Sequence, residues 1–262
     1  NQVGVAAAGG GLLGDLVPTQ VIAAGESQSA IFLSTFANAV HPLDPVFDGF
    51  LIHSRGANVA PLDGEFVSRA DREDAEEALA DGVLIRTDLD VPVMIVEAET
   101  DLTLLGYANA RQPDTDLLRT WEVAGAAHAD AHFMRAIVGG PRDPGLGSLI
   151  GCPEPINTGP HHEVVSAAFH GLVTWVADGP TPPAGEPIEL VEGEEVAIAR
   201  DDDGNALGGV RNPLVDVPVA TLSGDPPGGA SIEEVTGDGV GVCVLFGSTV
   251  AFDRATLLER YG

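Results

Sequence analysis

A serine hydroxyl becomes a nucleophile when a sharp turn lifts it clear of a strand and a base can reach it, and such a turn demands small residues around the serine. The segment VIAAGESQSA has that pattern, with Gly25 two positions before Ser27 and Ser29 two after. Small side chains there let strand and helix approach closely. The N–H of Gln28, at the helix start, points to where an oxyanion would form. The pattern alone is weak, because a chain this rich in glycine meets it by chance on the order of once per one or two chains. Context has to decide, and here an apolar run precedes it and a helical pattern follows. The competing reading makes Ser27 a helix cap only.

A carboxylate and an imidazole would complete the chemistry. In VPVMIVEAETDL an apolar strand ends and acidic side chains follow at once. Asp101 lies a few residues past the strand end, where a loop can turn back, and is the first candidate for the acid that orients an imidazole. Glu99 is the second. In a chain this acidic, both compete with a plain solvated role. In WEVAGAAHAD small residues again follow a strand and lead to His128, the candidate base. His162, at the start of a later helix beside His161, is the second candidate base. His41, His53, His132 and His170 read as structural or surface residues. Serine, acid and histidine thus occur in that order, each just past a strand end. No group of residues has convincing metal-ligand spacing, and no cofactor is implied.

The elements that must hold these groups alternate. Strands are expected over 21–25, 46–52, 93–96 and 119–124. Helices are expected over 27–40, 65–79, 129–138 and 161–176, the first stopped by His41-Pro42 and the last by Asp178-Gly179-Pro180. Alternation of this kind argues a mostly parallel sheet with flanking helices, with chemistry at the C-terminal strand ends. After Pro180 the chain turns β-rich, with runs at 195–199, 215–220 and 240–246. The expectation is one α/β domain over 1–262, with 181–262 as a β-rich appendage.

Composition narrows the partners. The 12 basic and 40 acidic residues give a net charge of −28, which disfavours phosphate backbones and anionic lipid surfaces. Nucleic-acid and membrane partners are therefore not expected. Every basic residue is Arg, and composition supports salt adaptation and a coding bias equally. Cys152 and Cys243 read as one loop thiol and one core thiol rather than a bridge. Three motifs fail on inspection. Gly9-x-Gly11-x-x-Gly14 is followed by Pro18 where a helix should run. Asp201-x-Asp203-x-Asn205 has Ala206 where a calcium loop needs glycine, so it reads as a hairpin turn. The acidic run Glu73 to Glu77 reads as a solvated helix face. Arg55 and Arg211 are weak candidates for binding a carboxylate, with ion-pair or surface roles favoured.

AAGESQSA, GFLIHSRG, EAETDL and WEVAGAAHAD together resemble one branch of the α/β-hydrolase superfamily, usually labelled alpha/beta hydrolase domain-containing. The likeness extends through NTGPHHEVVSAAFHGLVTWVADGPTPP, GGVRNPLVDVPVATLSGD and VLFGSTVAFDRATLLERYG. It implies Ser27 as nucleophile, His128 as base and Asp101 as acid, acting on a small-molecule ester or amide. It also implies several strands and an oxyanion loop before the nucleophile strand, whereas only about 20 residues precede it here. The chain thus resembles the C-terminal portion of such an enzyme, with N-terminal strands missing and an N-terminal half or second chain expected to complete it. The rival expectation is a hydrolase-fold module that binds without catalysing.

Overall fold

The computed structural model describes residues 2–9, 14–62, 82–139, 145, 148, 152, 155–191, 193, 196–225 and 242–262. The helix expected over 65–79, with the run Glu73 to Glu77, lies outside these residues, as does Gly11. Among the described residues the elements begin with α1 (Gln2–Ala8), β1 (Ile22–Glu26), α2 (Gln28–Thr35), β2 (Gly49–His53) and β3 (Val93–Ala98). There follow α3 (Glu99–Thr103), β4 (Leu118–Val123), α4 (Ala131–Val138), α5 (His161–Val176), β5 (Leu190–Val191) and β6 (Ala197–Ile198). The chain ends with α6 (Pro213–Asp216), β7 (Ala220–Ser223), β8 (Ser248–Ala251) and α7 (Arg254–Tyr261). These elements group into two compact units. One comprises Asn1–Val96, Leu105–Trp121 and Val165–Ala184, the other Glu97–Leu104, Glu122–Val164 and Gly185–Gly262.

Parallel strands need crossover connections, and among the described residues α2 lies between β1 and β2 and α3 between β3 and β4. The result is a four-stranded parallel sheet in the order β1-β2-β3-β4. The expected mostly parallel α/β sheet is therefore present. β3 is buried along its whole length, as an inner parallel strand with a continuous apolar run should be. The register pairs Glu26 with His53 and His53 with Val96, so β1 and β2 end level and β3 runs two residues further, to Ala98.

Within the first unit, α5 packs its Leu172 and Val176 close to β2, where Gly49 leaves the space. A Cβ on Gly49 would come within 2.7 Å of Val176. The helix after Ser27 is shorter than its pattern predicts. It is α-helical to Thr35 and then widens into a π turn, Phe36–Val40, closed by the His41 N–H donating to the Phe36 carbonyl at 2.9 Å. Phe36, Phe47 and Phe50 fill the space below that turn with edge-on rings. The buried His41 ring joins them, 5.0 Å from Phe50 and nearly perpendicular to it.

The second unit contains the β-rich end of the chain. β5 pairs antiparallel with β6, and β7 with β8. Residues 201–205 make the expected turn, with the Gly204 N–H on the Asp201 carbonyl at 2.9 Å and an antiparallel bridge between Arg200 and Ala206. Two expectations need correction. The run 215–220 is not a strand: Asn212 caps α6, its side chain accepting the Leu214 N–H at 2.9 Å with Pro213 in the first turn, and strand begins only at Ala220. The described end of the run 240–246 is a 3₁₀ turn, Cys243–Phe246, whose apolar side chains pack inward. The cysteines also depart from expectation, for Cys152 and Cys243 form a disulfide. Both are buried in one cluster with Ala129, Ala131, Met134, Ile156 and Phe246, so the apolar surroundings that suggested an inert thiol surround a bridge. Among the described residues no helix is long and apolar enough to cross a membrane.

Candidate active site

The first candidate group lies at the β1–α2 turn, in the first unit. Ser27 has φ 52° and ψ −121°, a conformation that costs a non-glycine residue of order 1–3 kcal/mol. Two backbone hydrogen bonds hold it there. The Ser27 N–H donates to the His53 carbonyl at 3.0 Å, and the Ile31 N–H donates back to the Ser27 carbonyl at 3.1 Å. Gly25 makes the turn possible, because a Cβ there would stand 2.7 Å from the Ser29 carbonyl oxygen. The Ser27 side chain makes no capping bond to α2, so the helix-cap reading finds no support. Gln28 opens α2 and is exposed. Its N–H is among the first-turn donors that the helix itself does not use.

The second candidate group, in the second unit, begins where β3 runs into α3. Asp101 is wholly buried. One carboxylate oxygen, Oδ2, accepts the Ala98 N–H at 2.7 Å, which satisfies a donor at the helix start and fixes the side chain. The other, Oδ1, lies 2.6 Å from His128 Nδ1. Burial pushes the Asp101 carboxyl up, but the His128 charge and hydrogen bond, the Ala98 N–H and the nearby His161 outweigh it. Its pKa therefore ends below the ordinary value of 3.8, and the group is anionic at neutral pH. A carboxylate on Nδ1 selects the imidazole tautomer with hydrogen on that atom and leaves Nε2 as the basic nitrogen.

A family model described as Alpha/beta hydrolase domain matches residues 1–262. The chain belongs to that family. No curated protein and no solved structure matches it. The match spans the whole chain, so this is an alpha/beta hydrolase domain throughout.

In this hydrolase domain Ser27 and Gln28 lie in the first unit, and Asp101 and His128 in the second. Within the second, Asp101 and His128 meet, whereas Glu99 turns away from the imidazole. Its buried carboxylate accepts the N–H groups of Gly125 at 2.6 Å and Gly224 at 3.0 Å, and pairs with Arg200 at 3.0 Å. Burial raises the Glu99 pKa against the pull of Arg200 and the two N–H groups. His162 is exposed, its ring stacked 3.7 Å from His132. Of His161 and His162 it is the buried His161 that acts on Asp101 electrostatically, in addition to His128. The arginines have structural partners. Arg55 is buried over the Tyr107 ring and donates to the Val83 carbonyl at 2.8 Å, and Arg211 pairs with Asp216 at 2.7 Å. Among the described residues no group of three or more His, Cys, Asp or Glu could hold a metal.

Sequence reasoning passed over Thr100 and Asn157. The Asn157 amide donates to the carbonyls of Gly125 at 3.0 Å and Ser223 at 2.9 Å, and its oxygen accepts the Gly159 N–H at 2.6 Å. A polar residue between two flagged carboxylates was the available signal for Thr100. Nothing local marked Asn157, whose partners are remote in sequence.

Proposed function

We propose that this protein is a serine hydrolase that cleaves carboxylic esters, and amides as a second class, through an acyl-enzyme on Ser27. The observation that carries the reading is the strained backbone of Ser27 at the strand-to-helix turn, where its side chain makes no capping bond to α2. A cap or a surface serine needs no such conformation, and a nucleophile does. The buried Asp101–His128 pair supports the assignment of the base.

The mechanism runs in two steps. His128 Nε2 takes the Ser27 proton as Oγ bonds to the substrate carbonyl carbon. The carbonyl oxygen becomes an oxyanion, which the Gln28 N–H stabilises. Loss of one such donor costs about 2.7–4 kcal/mol of transition-state stabilisation in enzymes of this kind. The intermediate collapses as the imidazolium returns the proton to the leaving alcohol or amine. Water, deprotonated by the same nitrogen, then attacks the acyl carbon, and the imidazolium returns that proton to Ser27 Oγ as the acyl–oxygen bond breaks, releasing the acid and free Ser27. Throughout, the Asp101 carboxylate stabilises the imidazolium without taking its proton.

A fluorophosphonate tests the proposal because it labels only an activated serine. Labelling should map to Ser27, and Ser27→Ala should abolish both labelling and turnover of p-nitrophenyl esters. Full esterase activity in Ser27→Ala would exclude the mechanism. Ligand binding without labelling of the unmodified protein would favour a non-catalytic module.

A further inference from the structure

The mechanism uses one of three consecutive residues at the start of α3, yet all three grip the loop that ends in His128. Asp101 holds the imidazole. Thr100, also fully buried, meets the backbone of the same histidine: its Oγ1 accepts the His128 N–H at 3.2 Å. A hydroxyl has one proton, and here that proton is committed elsewhere, donated to the Gly224 carbonyl at 2.7 Å. Toward His128 the oxygen can only accept. Glu99 holds the other end of the loop. Its Oε1 takes the Gly125 N–H at 2.6 Å, and its own N–H donates to the Ala126 carbonyl at 3.1 Å.

The same three residues tie in a third strand of chain. Glu99 Oε2 accepts the Gly224 N–H at 3.0 Å and the Arg200 guanidinium at 3.0 Å. Gly224 must be glycine, since a Cβ there would lie 2.5 Å from the Glu99 Cβ and 2.6 Å from the Thr100 nitrogen. Both polar groups of Gly224 are thus spent on Glu99 and Thr100. Such a buried network, with each donor matched to an acceptor, resists displacement, because moving one group strands another in a dry interior.

We propose that Glu99 and Thr100 are positioning residues that clamp the Gly125–His128 loop and so set the imidazole against Asp101. The clamp rests on the reading of His128 as the base, but its geometry is open to test without turnover. A short Asp–His hydrogen bond gives a low-field imidazole proton resonance, which reports the pairing directly.

Thr100→Val keeps the volume and removes both hydrogen bonds. It should shift or broaden the low-field resonance of His128 and lower kcat for a p-nitrophenyl ester by on the order of 10- to 100-fold, with KM little changed. Thr100→Ser keeps the oxygen and should restore both signals. A Thr100→Val protein with the wild-type resonance overturns the clamp, whatever Ser27→Ala does. Conversely, an active Ser27→Ala protein overturns the catalytic reading while a shifted resonance in Thr100→Val still supports the clamp. Should Thr100→Val not fold, amide exchange in the unmodified protein decides. The Gly125 and His128 amides should exchange slowly, and exchange at exposed-loop rates at either position overturns the proposal.

Discussion

The β1–α2 turn and the α3–His128 region hold their functional groups by opposite means. Ser27 is held through its backbone: two main-chain hydrogen bonds, one glycine and a strained φ. His128 is fixed by side chains, with Asp101, Thr100 and Glu99 each contributing a buried bond within its loop. On the proposed mechanism substrate must reach the Ser27 hydroxyl, and the backbone turn carries its geometry. A base that shuttles a proton needs a fixed tautomer and a fixed ring, and buried acceptors supply both. The two regions should therefore fail differently when perturbed.

On the proposed mechanism the largest expected effect comes from Ser27 and from the acid that orients His128. Ser27→Ala and Asp101→Asn should each lower kcat by on the order of 10³- to 10⁶-fold, and the double variant should lose no more than the worse single one. Additive losses, measured as kcat/KM for a p-nitrophenyl ester, would show that the two regions do not act as one unit.

Next is the disulfide. Cys152 and Cys243 lie 91 positions apart, and closing a loop of that size stabilises a fold by about 4–5 kcal/mol on the chain-entropy model. The bridge anchors the turn whose Leu245 carbonyl accepts the Ala129 N–H at 2.9 Å, one residue past His128. Cys152→Ser with Cys243→Ser should lower the urea midpoint steeply, and a reductant should then have no further effect. An unchanged midpoint would separate the bridge from the stability of the acid–base region.

Gly25→Val tests the backbone side. Its Cβ would meet backbone, which cannot rotate away, so the turn must shift. Fluorophosphonate labelling should slow by about 100-fold while the low-field His128 resonance stays in place. Loss of that resonance as well would erase the contrast between the two regions.

The contrast also explains what the sequence could reveal. The apolar runs of β1 and β3 and the small residues around Ser27 are local signals, and so is the order of serine, acid and histidine along the chain. α5 appears over the residues its pattern marks, because periodicity and the Asp178-Gly179-Pro180 stop agree. The clamp was illegible because Gly224 and Arg200 reach Glu99 from more than a hundred positions away. The disulfide was misread for a related reason: an apolar setting around Cys243 describes a buried thiol and a buried bridge equally well. Residues 215–220 have alternating apolar character, but Asn212 and Pro213 start a helix there, and capping outweighs the alternation.

The smallest expected effect is a matter of slope, and it sets Glu99 against Asp101 within one helical turn. The Asp101 pKa is lowered below 3.8 in the fold, so the unfolded chain binds more protons in that range. Its stabilising contribution is complete above that value and disappears as pH falls through the lower folded pKa. Glu99 has the reverse sign. Burial raises its pKa above 4.5, so the native state binds the extra proton, and its contribution is present below 4.5 and lost as pH rises through the raised value. Asp101→Asn should therefore flatten the acid limb of unfolding free energy against pH, and Glu99→Gln should flatten the decline above 4.5. Because Gln also turns an amide N–H toward groups that donate, Glu99→Gln should lower stability at every pH even as it removes the slope. Urea titrations at a series of pH values read both quantities. If the two variants altered the same limb, the opposed titration of the neighbouring carboxylates would be wrong, and with it the claim that burial outweighs Arg200 at Glu99 while the imidazole outweighs burial at Asp101.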